Sequence, residues 1–214
     1  MRRNILIWIG CTVLMMAFAS CGTQNKETKE KEANAYRRVG EAYLQQGNFP
    51  AALKELKKAE EKNPNDHLLQ YDLGLVYFRL GKFDEAIGYY NKALELSPKY
   101  GPAINSLGNA YAGKEDWDQA IFYYRKVIND ILYATPHFAY TGLGNAYYYK
   151  GELERSEKYY LEALKIKHEF VNALADVPLV LVGLREGGQR RGPCRAGGSE
   201  LRPQHAPSSL VDVI

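Results

Sequence analysis

Three patterns of apolar and polar residues follow one another along the chain. From Ile5 to Phe18 the residues are mostly apolar, with Arg2 and Arg3 before them and Ala19-Ser20-Cys21 after. Residues 22–32, GTQNKETKEKE, contain no large apolar side chain. From residue 33 onward apolar and small residues return at the spacing of helices that bury one face. They return in units. Aligning Gly40, Gly74 and Gly108 gives a period of 34 twice, and Gly144 follows after 36. The units are 33–66, 67–100, 101–134 and 137–170, with Thr135-Pro136 inserted before the last. Self-similarity at such a period is the mark of a repeat architecture.

Each unit reads as two amphipathic helices, roughly positions 1–14 and 18–31. Position 7 is Val39, Leu73, Leu107 and Leu143, and position 8 is Gly in all four. Position 11 is Tyr43, Tyr77, Tyr111 and Tyr147; position 17 is Phe49, Phe83, Trp117 and Leu153. Position 20 is Ala52, Ala86, Ala120 and Ser156, and position 24 is Leu56, Tyr90, Tyr124 and Tyr160. Position 27 is Ala59, Ala93, Val127 and Ala163. Gly at 8 and a small residue at 20 predict two helix backbones that cross closely, with the large residues at 11 and 24 filling the space beside the crossing. Gly47, Gly81 and Gly151 fall where the turn between the helices requires a positive φ. Pro64 and Pro98 end the second helix, because an interior Pro costs about 3 kcal/mol. One helix pair cannot bury its apolar face alone, so the pairs must stack. The third unit departs from the rest, with Glu115 for the turn Gly, Val127 at position 27 and Leu132 in place of Pro. These changes predict a lengthened or re-angled second helix that ends before Pro136.

Four units in register, with these residue types at these positions, resemble the tetratricopeptide-repeat (TPR) family over nearly all of 33–170. The resemblance implies an all-α solenoid of antiparallel helix pairs, wound as a right-handed superhelix, that binds protein partners and catalyses nothing. In that family positions 2, 5, 9, 12 and 13 of the first helices line a concave face. Here the candidates on that face are Arg37, Glu41, Tyr71, Phe78, Asn105, Asn109, Asn145, Tyr148 and Tyr149. The asparagines resemble groove amides that hold the backbone of an extended peptide, since an amide both donates and accepts. The aromatic residues suit partner side chains. Glu41 at position 9 sets the chain apart from the basic clamp of chaperone-binding TPR proteins. The second ring of each pair Tyr89-Tyr90, Tyr123-Tyr124 and Tyr159-Tyr160 is expected in the core.

The N-terminus has the layout of a secretory signal over 1–20: basic start, apolar core, small residues before the cut. Its apolar run is shorter than the ~20 residues that cross a bilayer. Phe18-Ala19-Ser20-Cys21 resembles a bacterial lipobox, which implies lipid on Cys21 and a membrane-anchored protein, with 21–32 as a flexible tether. Two other outcomes stay open: cleavage at Ala17-Phe18-Ala19 as an ordinary signal, or retention as a short anchor. The signal, the charged tether and the repeats together resemble the PilF/PilW-type lipoproteins of type IV pilus biogenesis. Leu132-Tyr133-Ala134-Thr135-Pro136 resembles an insertion between their repeats. That likeness implies the periplasmic face of the outer membrane and a role in secretin assembly. An adaptor for cell-envelope or peptidoglycan enzymes is the alternative within the same class.

Charge and chemistry add exclusions. Residues 21–170 carry 21 Lys and Arg against 21 Asp and Glu, so the repeats have no basic excess for nucleic acid. There is no Gly-x-Ser-x-Gly, Walker loop or Cys-x-x-Cys. His67, His137, His168 and His205 lack metal-ligand spacing and are expected in solvent, so no cofactor or metal is expected. All 17 tyrosines lie between Tyr36 and Tyr160, and no Lys follows Lys167. Residues 171–184 begin a fifth unit, but Pro178 stands where the others have Gly. Residues 185–214 lose the pattern altogether and are expected to be a disordered or frame-shifted tail. That tail would leave an apolar face open around Tyr159, Leu161 and Leu164.

Overall fold

The computed structural model describes residues 26–129 and 133–166. The signal sequence, Cys21, His168, His205, the fifth-repeat remnant and the tail lie outside them. The regular structure among the described residues is entirely α-helical. Helix α1 covers 26–45. It is followed by α2 (Phe49–Lys62), α3 (His67–Arg79), α4 (Phe83–Leu96), α5 (Gly101–Gly113), α6 (Trp117–Ile128), α7 (Pro136–Tyr149) and α8 (Leu153–Ile166). Each unit is one antiparallel pair, and successive helices pack on each other along the chain. The first helices of neighbouring repeats also touch, α3 with α5 and α5 with α7. That places them on one side of the solenoid.

Local sequence accounts for the helix ends. Asn48, Asp66 and Asp116 cap α2, α3 and α6 by accepting from Ala51, Leu68 and Gln119 amides. Pro50, Pro102 and Pro136 occupy first-turn positions of α2, α5 and α7, where no amide donor is needed. The turns inside the first, second and fourth repeats pass through Gly47, Gly81 and Gly151 with φ of 72°, 72° and 77°. In the third repeat Glu115 holds the same left-handed conformation, at φ 61°. The turn is therefore kept at the cost of a Cβ clash, about 1–2 kcal/mol.

Two expectations need correction. The third repeat's second helix is not lengthened: α6 has 12 residues, whereas α2, α4 and α8 have 14. Loss of Pro at position 32 does not extend a helix when Asn129, a poor helix former, stands at its end. Residues 26–32, expected as tether, already belong to α1. Their Lys and Glu are good helix formers, Glu27 pairs with Lys31 at 2.7 Å one turn on, and Glu32 reaches Lys62 of α2 at 2.8 Å.

The core repeats with the sequence. Positions 20, 24 and 27 are buried in every repeat. The position-24 side chain lies directly over the position-8 glycine: a Cβ on Gly40, Gly74, Gly108 or Gly144 would stand 2.5–2.7 Å from Leu56, Tyr90, Tyr124 or Tyr160. Tyr124 is gripped twice, since a Cβ on Gly142 of the next repeat would stand 2.4 Å from its ring. The other ring of each tyrosine pair is structural as well. Tyr89, Tyr123 and Tyr159 stack nearly parallel on Tyr77, Tyr111 and Tyr147 at 5.2–5.4 Å. Val39, at a core position in the pattern, is 45% exposed; it lies on the first described helix pair. Tyr133, in the inserted stretch, closes over Gly101 at the start of α5. On α8, Leu161 is exposed, while Tyr159 and Leu164 are half-buried.

Candidate functional site

Position 5 of the first helices carries Arg37, Tyr71, Asn105 and Thr141, and position 9 carries Glu41, Leu75, Asn109 and Asn145. Residues four apart share a helix face, so these form two adjacent rows across α1, α3, α5 and α7. Their character changes along the solenoid.

At the first two repeats the rows are ionic and aromatic. Arg37 is half-buried and holds Glu41 at 2.5 Å, Asp72 at 3.4 Å and Asp66 at 3.6 Å. Three carboxylates thus converge on one guanidinium. Burial and the adjacent Glu41 carboxylate push the Asp72 carboxyl up to about 8, while Arg37 pulls the other way. Asp72 is at position 6, where the later repeats have Ser106 and Gly142. Arg37 and Glu41 are among the groove candidates, whereas Asp72 is not; its signal in the sequence is a charged residue where the two later repeats have small ones. Tyr71 is half-buried beside Tyr100 and Tyr90, with centroids at 5.3 and 5.8 Å. Burial raises its phenol well above the ordinary range. Farther along the same face a shallow cavity is lined by Leu44, Gln45, Gly47, Phe49, Leu75 and Arg79.

At the last two repeats the rows are neutral. The Tyr124 hydroxyl donates to Asn109 Oδ1 at 2.7 Å, and the Tyr160 hydroxyl donates to Asn145 Oδ1. Asn109 and Asn145 are half-buried, so each amide links the core to the surface of the first helices. Asn105 is only 8% exposed, and its Oδ1 has no hydrogen-bond partner. Tyr148 and Tyr149 are half-buried; Tyr149 stacks on Trp117 at 4.7 Å and Tyr148 meets Tyr149 edge-on.

Two sequence assignments change. Phe78, expected to face a partner, is buried against Phe83 at 5.6 Å. It packs in one cluster with Leu107 and Ala110 of the next repeat, and Phe83 fills the space over Gly113 there. His137, expected in solvent, is buried against Phe138, and its carbonyl accepts from Thr141 Oγ1 at 2.9 Å. Among the described residues no group of His, Cys, Asp and Glu is arranged to hold a metal ion. No described helix is long and apolar enough to cross a membrane.

Three family models, each described as tetratricopeptide repeat, match residues 37–101, 103–136 and 139–169. Together they span more than half of the chain, which belongs to the tetratricopeptide-repeat family. No curated protein matches it. Among solved structures it resembles PilF of Pseudomonas aeruginosa, with a TM-score of 0.67 and 22% identity over 74% of this chain and 72% of that one. It also resembles PilW, whose structure is described as that of a widely conserved type IV pilus biogenesis factor. There the TM-score is 0.61, with 21% identity over 64% of this chain and 63% of that one. A third similar structure is MamA, with a TM-score of 0.58 and 26% identity over 65% of this chain and 81% of that one. These likenesses establish the solenoid fold. Repeats of this family are typically non-catalytic scaffolds for protein–protein interaction.

Proposed function

We propose that the chain is a non-catalytic scaffold that docks an extended segment of a protein partner along its first helices, and that it works at a membrane in type IV pilus or secretin assembly. The observation that carries the docking reading is the pair of rows at positions 5 and 9, of which the position-9 row is half-buried in all four repeats. They place aromatic, apolar and amide groups together on one side of the solenoid, without the linked nucleophile, base or metal set that catalysis needs. The membrane reading rests on Phe18-Ala19-Ser20-Cys21, with lipid on Cys21 holding the repeats at the periplasmic face of the outer membrane. The pilus reading rests on that ending, the Leu132–Pro136 insertion and the likeness of fold to PilF and PilW.

Two experiments test these readings. Changing Cys21 to Ala should move the protein from the membrane to the soluble fraction; an intact N-terminus with an unmodified Cys21 thiol in the wild type overturns lipidation. Deleting the gene should reduce secretin multimers and surface pili. Normal multimers and normal pili in the deletion strain return the chain to a different envelope task.

A further inference from the structure

Asn109 and Asn145 were expected to donate and accept at once. The structure divides those roles. Tyr124 is fully buried and its ring is wedged between Gly108 and Gly142, so its hydroxyl has one place to be. A buried phenol needs a hydrogen-bond partner, and Asn109 Oδ1 provides it. Tyr160, over Gly144, holds Asn145 Oδ1 in the same way. An amide is planar, with its oxygen and nitrogen on opposite sides of Cγ. With the oxygen turned to the core, the NH₂ of each half-buried side chain is turned outward. Neither NH₂ has a protein partner among the described residues. One turn before Asn109, the Asn105 Oδ1 is buried beneath the surface of α5 and adds no outward group.

Resting on the docking reading above, we propose that Tyr124 and Tyr160 are positioning residues that make Asn109 and Asn145 donor-only contacts. The third and fourth repeats would then read the backbone of an extended peptide. Its carbonyl oxygens take the Asn109 and Asn145 NH₂ groups. The surroundings favour a neutral backbone over a carboxylate side chain. Positions 5, 12 and 13 of these repeats are Asn105, Ala112, Gly113, Thr141, Tyr148 and Tyr149, none of them cationic. The first two repeats cannot do the same. In the first repeat position 24 is Leu56, which has no hydroxyl, and in the second Leu75 offers the Tyr90 hydroxyl no acceptor, so that hydroxyl has no formed bond.

The probe is a displayed library of random linear peptides, panned on the full mature protein, with the selected peptide's affinity read by fluorescence anisotropy. Asn109→Asp with Asn145→Asp keeps the inward bond from each tyrosine but replaces the outward donor by an acceptor. It should weaken binding about tenfold. Tyr124→Phe with Tyr160→Phe releases both amides to rotate. Affinity should fall about threefold while the helical signal is retained, an effect that a purely structural hydroxyl would not produce on binding. Leu75→Lys, in the neighbouring repeat, tests the groove itself and should also weaken binding. If Leu75→Lys weakens binding but the Asp pair does not, the donor assignment is overturned and the groove reading stands. Binding indifferent to Leu75→Lys, or no selected peptide, overturns both. Enrichment of Asp and Glu in the selected peptides overturns the backbone reading in favour of side-chain carboxylates.

Discussion

The first two repeats and the last two share a period, a helix pairing and a core, yet they differ in how the core meets the surface. In the first repeat the residue over the position-8 glycine is Leu56, an apolar side chain with no polar reach. In the third and fourth it is a tyrosine whose hydroxyl extends to the asparagine at position 9. Polar surface in the first half is instead set by Arg37 and its three carboxylates. The same backbone thus presents a titratable, ionic face at one end and a fixed, neutral one at the other. A repeat protein can vary its surface this freely because each unit only has to satisfy its neighbours.

The largest expected effect contrasts two glycines. Gly142→Ala would place a Cβ 2.4 Å from the doubly gripped Tyr124 ring, which has nowhere to move. The cost should be about 3 kcal/mol, read by urea denaturation. Gly40→Ala meets Leu56 Cγ at 2.6 Å and Cδ2 at 2.7 Å; an aliphatic side chain held by one glycine can shift more readily than a ring held by two, and the cost should be about 1 kcal/mol. Equal losses would show that the two halves are packed alike.

The second contrast is in pH. Asp72 has its carboxyl raised in the folded state to about 8, so the folded protein holds a proton that the unfolded chain releases near pH 4. Stability from this group is full below pH 4 and is lost as pH rises through about 8. The groups around it are Arg37 and Glu41 on α1, and Asp66, Tyr71 and Tyr100. Asp72→Asn should flatten the decline in urea midpoint between pH 5 and 8, whereas Asn109→Asp should leave it in place. An unchanged slope in Asp72→Asn would mean that Asp72 is ionised throughout.

Smaller effects should come from the cations that cover the ring stacks. Arg125 donates to the Tyr147 hydroxyl at 2.6 Å and lies 5.9 Å from its ring centre, and Lys57 sits 4.9 Å from that of Tyr89. Replacing either by Ala should cost about 0.5–1 kcal/mol. The smallest is Glu115→Gly, which should stabilise the third repeat by up to about 1 kcal/mol, since Gly adopts its positive φ without a clash. A destabilised Glu115→Gly would mean that the Glu side chain does something the turn geometry does not reveal.

The alignment of Gly40, Gly74, Gly108 and Gly144 was enough to give the period, the helix pairs, the close crossing and three of the four turns. These depend on residue size and on spacing along one chain, and both are written in the sequence. The lengthening it allowed for α6 is not found, because a missing Pro says where a helix is not forced to stop rather than where it continues. The ring stacks between positions 11 and 23 were equally visible as a recurrent Tyr-x₁₁-Tyr spacing, but only the second ring of each pair had a reason to be buried.

What tertiary structure decided lies between elements. Phe78 could be read as groove or core until Phe83 was seen beside it. His137 looked solvated until the neighbouring Phe138 and Thr141 closed around it. The Asn109 amide could donate and accept until the Tyr124 hydroxyl took its oxygen. A period fixes which residues share a face. The direction and partner of each polar atom on that face depend on side chains from another helix, and no pattern within a single helix contains them.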